Sequence, residues 1–214
     1  MSNGLFFDTE TTGLPDWHNP SDGEQQPHIV QLAAKLIDLD SRDVIDEMDV
    51  LVIPDGWEWD ENNEAFKTHG ITMERCQEEG ISEVEAVEAF FVLWARGGED
   101  VIRIGHNEPF DRRIIRIATK RYPELNEFMD PWKELPKDRS YCTMYKTTKT
   151  VGIPATPAMH ASGRHFNKNP SLAEAYEFFL HKELEDAHDA MVDVNACIEV
   201  YFAFQEHLAG KGAA

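Results

Sequence analysis

Two acidic residues follow an apolar run near the N-terminus of the chain. Residues 5–7 are Leu-Phe-Phe, which is typical of a buried strand, and Asp8-Thr9-Glu10 comes directly after them. Side chains alternate between the two faces of a strand, so Asp8 and Glu10 should point the same way, about 6.6 Å apart along the backbone. Two such carboxylates repel each other unless a cation lies between them. The pair therefore indicates either a strand that ends in a polar turn or a metal site.

Acidic residues recur in two later segments that also border predicted secondary structure. The first follows another apolar run: Asn107 suits a helix cap and Pro109 the first helical position, which places Asp111 in the first turn. The second contains His188 and Asp193 and leads into a long amphipathic stretch. Carboxylates from three separate segments are thus available to one site.

Together, these three segments resemble the three motifs of the DEDDh, or DnaQ-like, 3′–5′ exonucleases. The residues that carry the resemblance are Phe7-Asp8-Thr9-Glu10-Thr11-Thr12-Gly13-Leu14, His106-Asn107 with Phe110-Asp111, and His188 with Asp193. Their order and spacing agree with the family from about residue 4 to residue 207. The resemblance, which extends to proofreading subunits and to phage or bacterial single-strand exonucleases, implies a ribonuclease-H-like fold, two divalent metals and removal of nucleoside monophosphates from a 3′ end.

Four carboxylates form the predicted metal site. Asp8, Glu10, Asp111 and Asp193 offer only hard oxygen ligands, which select Mg²⁺ or Mn²⁺ rather than zinc. Two ions about 3.5–4 Å apart can clamp the attacking water and the leaving 3′ oxygen of a phosphodiester. The resemblance implies that Asp8 bridges both ions.

His188 is the predicted general base. An imidazole titrates near neutral pH and can accept a proton from the attacking water. With Asp186 as the cap, we expect a helix that begins at residue 187, so that His188 lies in a frayed first turn where it can swing. The alternative is an exposed or structural histidine, which is the commoner fate of a lone histidine.

Four further residues are assigned to substrate binding. The resemblance implies that Thr9 and Thr11 bind the terminal nucleotide and that Leu14 wedges against the terminal bases, and we add Asn107 of the second motif. From the residues alone, Leu14 could equally be a core contact. Gly13 permits a tight turn that leaves backbone N–H groups free near the 3′ end.

Hydrophobic periodicity predicts an α/β fold, a mixed five-stranded sheet flanked by helices, and the resemblance implies that this fold is ribonuclease-H-like. The predicted strands are residues 4–9, 28–38, 43–53, 100–104 and 140–143. The predicted helices are one or two short ones in 60–79, then 82–97 and 109–121, and two that follow Ser171 and Asp186. Residues 150–170 are expected to be irregular. We predict a single exonuclease domain, residues 1–209, and a disordered tail, residues 210–214.

The net charge of −20 is unevenly distributed. Residues 1–100 carry a net −19, whereas residues 101–170 carry +6. Arg112, Arg116 and Lys120 repeat every four residues and share one helix face, which suits phosphate contact as well as it suits a solvated basic face. Further cations in this region are Lys146, Lys149, Arg164 and Lys168.

The expected substrate is the 3′ end of single-stranded or frayed DNA. RNA is the alternative, because the motifs do not reveal how a 2′-hydroxyl would be read. A remote alternative is an acidic interaction protein without catalytic activity. A DNA polymerase, or replication and repair proteins, are possible partners. Three widely separated cysteines, no apolar stretch of membrane-spanning length and no signal-peptide pattern favour the cytoplasm.

Overall fold

The structure, a computed structural model, describes residues 2–60, 62–128 and 139–212. A mixed sheet has the strand order β3-β2-β1-β4-β5. β1 pairs with β2 and β2 with β3 in antiparallel orientation, whereas β4 lies parallel to both β1 and β5. The strands are β1 (Asn3–Thr11), β2 (Ile29–Asp38), β3 (Val44–Leu51), β4 (Ile102–Gly105) and β5 (Ser140–Cys142). The predicted fold class, a mixed five-stranded sheet flanked by helices, is confirmed.

Helices connect and cover these strands. They are α1 (Glu64–His69), α2 (Met73–Glu79), α3 (Glu83–Arg96), α4 (Glu108–Arg121), α5 (Thr143–Val151), α6 (Pro157–Ala161), α7 (Leu172–Leu180) and α8 (Ala190–Gly212), with a 3₁₀ helix at Pro123–Phe128. In the part of the chain that the structure describes, no helix is both long and apolar enough to cross a membrane.

The sheet has a helix layer on each face. Leu5 and Phe7 of β1 pack into a core with residues of α3 and α4, whereas Phe6 packs on the opposite face against α8. Asp8 and Glu10 have the same parity along β1 as Phe6, so they belong to the α8 face. β1 and β4 run in parallel, so both end at the same edge of the sheet.

Capping boxes are present at the starts of α3 and α7. Ser82 and Ser171 each accept a hydrogen bond from the backbone N–H three residues on, and the glutamate at that position accepts one back. These local patterns fix where both helices begin.

Three parts of the secondary structure differ from the predictions. Helix α5 was not predicted: its β-branched and aromatic residues favour strands, but burial of Thr143 and Thr147 stabilises the helix. The segment 150–170 contains the short helix α6 within its irregular course. A disordered tail was expected from residue 210, but no proline interrupts α8 and its backbone continues as helix to Gly212. Residues 213 and 214 lie outside the described residues.

Candidate active site

The first motif lies at the end of β1, against the start of α4. Asp111 is in the first turn of α4 and is 2% exposed. Its Oδ1 accepts hydrogen bonds from the Thr9 backbone N–H at 3.0 Å and from the Thr9 hydroxyl at 2.8 Å. Thr9 therefore orients Asp111, a role that the sequence-based assignment to substrate binding did not include.

The carboxylates of the site are crowded in a poorly hydrated space. Burial raises the pKa of Glu10 to about 8, with further contributions from Asp193, Asp111 and Asp189. Burial also raises the pKa of Asp8 well above its usual value, and the charges of Asp111, Asp193 and Glu10 add to this. The pKa of Asp111 rises to about 7 because of burial, although the bonds from Thr9 oppose the rise. Such carboxyls hold protons unless a cation compensates their charge.

The donor atoms fit divalent metal ions. Glu10, His188 and Asp193 each offer one ligand atom, and these atoms lie within 4.8 Å of one another. Within the described residues, Asp193 Oδ1 is buried without a hydrogen-bond partner. Burial raises the pKa of Asp193, whereas nearby His188 opposes the rise. A buried oxygen without a partner is costly, and a metal ion is a suitable partner for it.

His188 lies outside α8 rather than in its first turn. The helix begins at Ala190, and His188 has a positive φ of 76°. The expected cap, Asp186, is wrong for the same reason: its φ of 52° is left-handed. Asp189 caps the helix instead, because its Oδ1 accepts from the N–H groups of Met191 at 3.0 Å and Val192 at 3.2 Å. His188 is thus an exposed side chain on a turn of unusual backbone conformation.

Gln31 joins this turn to the sheet and was not identified from the sequence. It lies opposite Glu10 in the β1–β2 pairing and is 2% exposed. Its Oε1 accepts from the Ala190 N–H at 3.1 Å, and its Nε2 donates to Asp49 Oδ1 at 2.9 Å and to Asp189 Oδ2 at 3.4 Å. A polar residue near the start of a largely apolar strand was the available signal.

A cavity of about 370 Å³ opens beside Glu10 and the loop that follows β1. Leu14 is 84% exposed at its rim, so it is not a core contact. The Thr11 hydroxyl donates to the Gly13 carbonyl at 2.8 Å and stabilises the loop. The wall opposite the loop comes from α1 and from α4, and its residues are Asn63, Glu64, Ala65, Thr68, His69 and Phe110. The α1 residues were not identified from the sequence, because their position depends on tertiary packing.

The second motif has a less direct role in helix capping than expected. Asn107 occupies the cap position of α4, but its φ is 71° and its side chain makes no capping bond. His106 hydrogen bonds to Thr143 Oγ1 at 2.9 Å and to the Pro170 carbonyl at 3.0 Å. The amide of Asn107 is therefore not used as a cap, and His106 connects β4 to the segment after β5.

The basic residues of α4 have several neighbours. Arg112 Nε lies 3.4 Å from Oε1 of the buried Glu108. Arg113 donates to carbonyls of the loop that precedes β2, and Arg116 and Lys120 line a shallow cavity beside residues 20–22 of that loop. Contact of Arg112, Arg116 and Lys120 with phosphates stays a prediction.

Comparison with known proteins agrees with this geometry. A family model described as exonuclease, RNase T, matches residues 5–201. Comparison with curated protein sequences found no significant match.

Several solved structures share the fold at low sequence identity. E. coli exonuclease I in complex with a dT13 oligonucleotide is 22% identical with a TM-score of 0.67, and the match covers 99% of this chain and 43% of that one. The zinc-bound form of the E. coli exonuclease I–ssDNA complex is 20% identical with a TM-score of 0.64, covering 96% and 41%. Exonuclease I from Methylocaldum szegediense is 20% identical with a TM-score of 0.61, also covering 96% and 41%. The chain thus spans less than half the length of these proteins. Its sequence matches the family model over most of its length, and it belongs to the exonuclease family.

Proposed function

We propose that the protein removes nucleoside 5′-monophosphates from the 3′ end of single-stranded or frayed DNA, with Mg²⁺ or Mn²⁺ as cofactor. One observation carries the proposal: Glu10, His188 and Asp193 converge within 4.8 Å. The other two motif carboxylates, Asp8 and Asp111, interact electrostatically with this group.

Asp8, Glu10, Asp111 and Asp193 would hold two metal ions. Bound there, the ions would supply positive charge to the phosphodiester and favour ionisation of the attacking water. The chain itself provides the orientation. Thr9 holds Asp111 through two hydrogen bonds, so that this carboxylate cannot rotate away from the site.

His188 would accept the proton of the attacking water. Its exposed imidazole lies next to Glu10 and Asp193, and its turn is held at one end by the Asp189 cap. A base outside the helix can approach the water and then release its proton to solvent. In this proposal the ligand residues are fixed, whereas the exposed base has room to move.

The cavity beside Glu10 would hold the terminal nucleoside. Its volume of about 370 Å³ is within the usual range of small-molecule sites, roughly 300–1,000 Å³. Thr11, Leu14 and Asn107 stay the predicted binding residues, with Leu14 wedged at the first base step. Phe110 in the cavity wall offers a surface for a base.

DNA is favoured over RNA by the solved relatives, of which two are described as bound to ssDNA or to a dT13 oligonucleotide. The resemblance to proofreading subunits also predicts work beside a polymerase or other replication and repair proteins, in the cytoplasm. These partners and this location stay predictions.

The test compares 5′-labelled oligothymidylate and oligouridylate as substrates, with Mg²⁺, with Mn²⁺ and with EDTA. We expect a ladder that shortens from the 3′ end of the DNA, faster than that of the RNA, and no products in EDTA. Asp8→Ala should lose orders of magnitude in turnover, whereas Asp60→Ala on the surface should not. Cleavage in EDTA would exclude the metal mechanism, and faster hydrolysis of RNA would replace the DNA assignment.

A further inference from the structure

We propose that residues 139–173, here called the acid-free arm, bind the nucleotides on the 5′ side of the terminal one. The proposal rests on the proposed function. The chain contains 40 Asp and Glu residues, yet none lies between Asp138 and Glu174. The same segment carries Arg139, Lys146, Lys149, Arg164 and Lys168. A strongly acidic protein that binds a polyanion needs such a region, because its average surface repels phosphate.

Both ends of the acid-free arm are bonded to His106, which precedes Asp111 by five residues. His106 bonds to Thr143 near the beginning of the arm and to Pro170 near its end. Thr143 Oγ1 also lies 3.6 Å from Cys197 Sγ, and Cys197 follows Asp193 by one turn of α8. These contacts place the beginning and the end of the arm near the proposed site.

Hydrogen bonds between residues of the arm stabilise its conformation. Its two sides are joined by the Lys168 N–H, which donates to the Ile153 carbonyl at 2.9 Å. Near its tip, the Nδ1 atoms of His160 and His165 lie 2.9 Å apart and share a hydrogen bond. A surface that is ordered before binding loses little conformational entropy when a strand binds.

Three cations of the arm are available to a ligand. Arg139 pairs with Asp100 and Lys168 with Glu174, so their charges are compensated. Lys146, Lys149 and Arg164 are exposed, and they make no ion pair within the described residues. Each can neutralise one phosphate and release a counterion.

Exposed aromatic rings accompany these cations. Tyr145 is 54% exposed beside Lys146 in the sequence, and Phe166 is 62% exposed two residues after Arg164. Outside the arm, the exposed Trp17 also has a cation beside it, since Arg113 lies 5.6 Å from its ring centre, whereas the exposed Val44 follows an aspartate in the acidic part of the chain. Rings next to cations match the alternation of bases and phosphates along a single strand. This alternation favours nucleic acid over an acidic protein surface as the occupant.

The test measures binding without cleavage. The triple variant Lys146→Ala, Lys149→Ala, Arg164→Ala is titrated against labelled oligothymidylates of about 3 and about 15 nucleotides in EDTA, at several salt concentrations. We expect about tenfold weaker binding of the long strand, a salt slope shallower by about 2, and no change for the short one. The matched control replaces Arg42, Arg75 and Arg96, three exposed cations outside the arm, with alanine and should bind both strands like wild type.

A second variant separates stacking from charge. Phe166→Ala should weaken binding of the long strand while the salt slope stays at its wild-type value, because no cation is removed. Hydrolysis of the p-nitrophenyl ester of thymidine 5′-monophosphate should be unchanged in all variants, since this substrate does not reach the arm. Melting temperatures by circular dichroism verify that each variant is folded.

Three results would overturn the arm proposal. The first is a triple variant with wild-type affinity and salt slope on the long strand, and the second is an equal loss on both strand lengths. The third is unchanged DNA binding with a changed oligomeric state in sedimentation, which would assign the arm to an acidic surface such as a second copy. Failure of the proposed function can be distinguished from these three results. In that case the wild-type protein would hydrolyse neither DNA nor the ester, regardless of what the arm variants bind.

Discussion

At the scale of single residues, the site combines rigid carboxylates with a histidine on a left-handed turn. His188 lies before the first residue of α8, its backbone hydrogen bonds to Asp193, and its neighbour Asp189 supplies the cap that begins the helix. Left-handed backbone in a residue other than glycine is uncommon and costs of order 1 kcal/mol. Its occurrence at the proposed base, in a site of raised carboxyl pKa values, is consistent with strain retained for function.

His188→Ala should lower turnover by about 10² or more while it leaves the affinity for DNA within a few-fold. If His188 accepts the proton, the acidic limb of the pH–rate profile should flatten in this variant, because the group that must be unprotonated is gone. Initial rates between pH 5.5 and 9 with saturating Mg²⁺ measure this. His181→Ala, an exposed histidine at the end of α7, is the control. A variant that retained the wild-type profile would make His188 a bystander.

Gln31→Leu should lower kcat by about tenfold with little change in KM, because the turn that carries His188 loses its bond to the sheet. The substitution also leaves Asp49 and Asp189 without the shared amide between them. Gln77→Leu, on the exposed side of α2, is the control. Gln31 would have a purely structural role if the variant lost kcat in proportion to its loss of thermal stability and kept the wild-type pH profile.

The residue-level features that could be predicted from the sequence are those that depend on neighbouring residues in the chain. Asp8 and Glu10 were predictable as a same-face pair, because strand alternation depends only on neighbouring residues. The turn at His188 was not, since Asp186 to Asp189 have no pattern that separates a left-handed turn from a helix start. Gln31 was missed because its two partners at the turn, Asp189 and Ala190, lie 158 and 159 residues away in the chain.

At the scale of secondary structure, a buried ionic cluster joins β2, α3 and α4. Glu83 is 3% exposed and accepts hydrogen bonds from His28, the Ile29 N–H, Arg121 and the Tyr122 hydroxyl. Burial opposes its ionisation, but these donors hold the pKa of Glu83 below its usual value. The cluster fixes the start of β2, because His28, the residue before this strand, exchanges hydrogen bonds with Thr12 in the loop that follows β1.

Glu83→Gln should lower the free energy of unfolding by about 2–4 kcal/mol, because Arg121 and His28 lose a buried partner charge. Urea unfolding followed by fluorescence measures the change. Glu88→Gln on the exposed side of α3 should change it by less than about 0.5 kcal/mol. Equal stabilities for the two variants would show that the cluster contributes nothing net. The α3 start was predictable from its capping box, whereas this cluster required the tertiary structure.

At the scale of the whole molecule, the four site carboxyls link stability to pH and to metal ions. The pKa of Glu10 is raised from 4.5 to about 8, and the pKa of Asp111 is raised from 3.8 to about 7. In the folded metal-free protein, these two carboxyls therefore keep protons that the unfolded chain has already released. The folded state therefore binds more protons between about pH 4 and pH 8, so stability falls as pH rises through this range.

In EDTA, the melting temperature should fall by several degrees between pH 5 and pH 8, and Mg²⁺ should raise it more at pH 8 than at pH 5. Bound ions compensate the charge only where the carboxyls have released their protons. Glu10→Gln should reduce both effects, because it removes one of the crowded charges. A melting temperature that rises from pH 5 to pH 8 in EDTA, or an equal Mg²⁺ effect at both pH values, would contradict this account.

The positions of the ligands along the chain have a consequence for protein synthesis. Asp8 and Glu10 lie in the first strand, whereas Asp193 lies on the last helix, which packs against that strand. A domain folds largely as a unit, and a nascent chain without α8 lacks Asp193, one of the proposed metal ligands. Under the proposed function, cleavage therefore begins only after α8 has been synthesised, which protects nearby nucleic acid from a partly made enzyme.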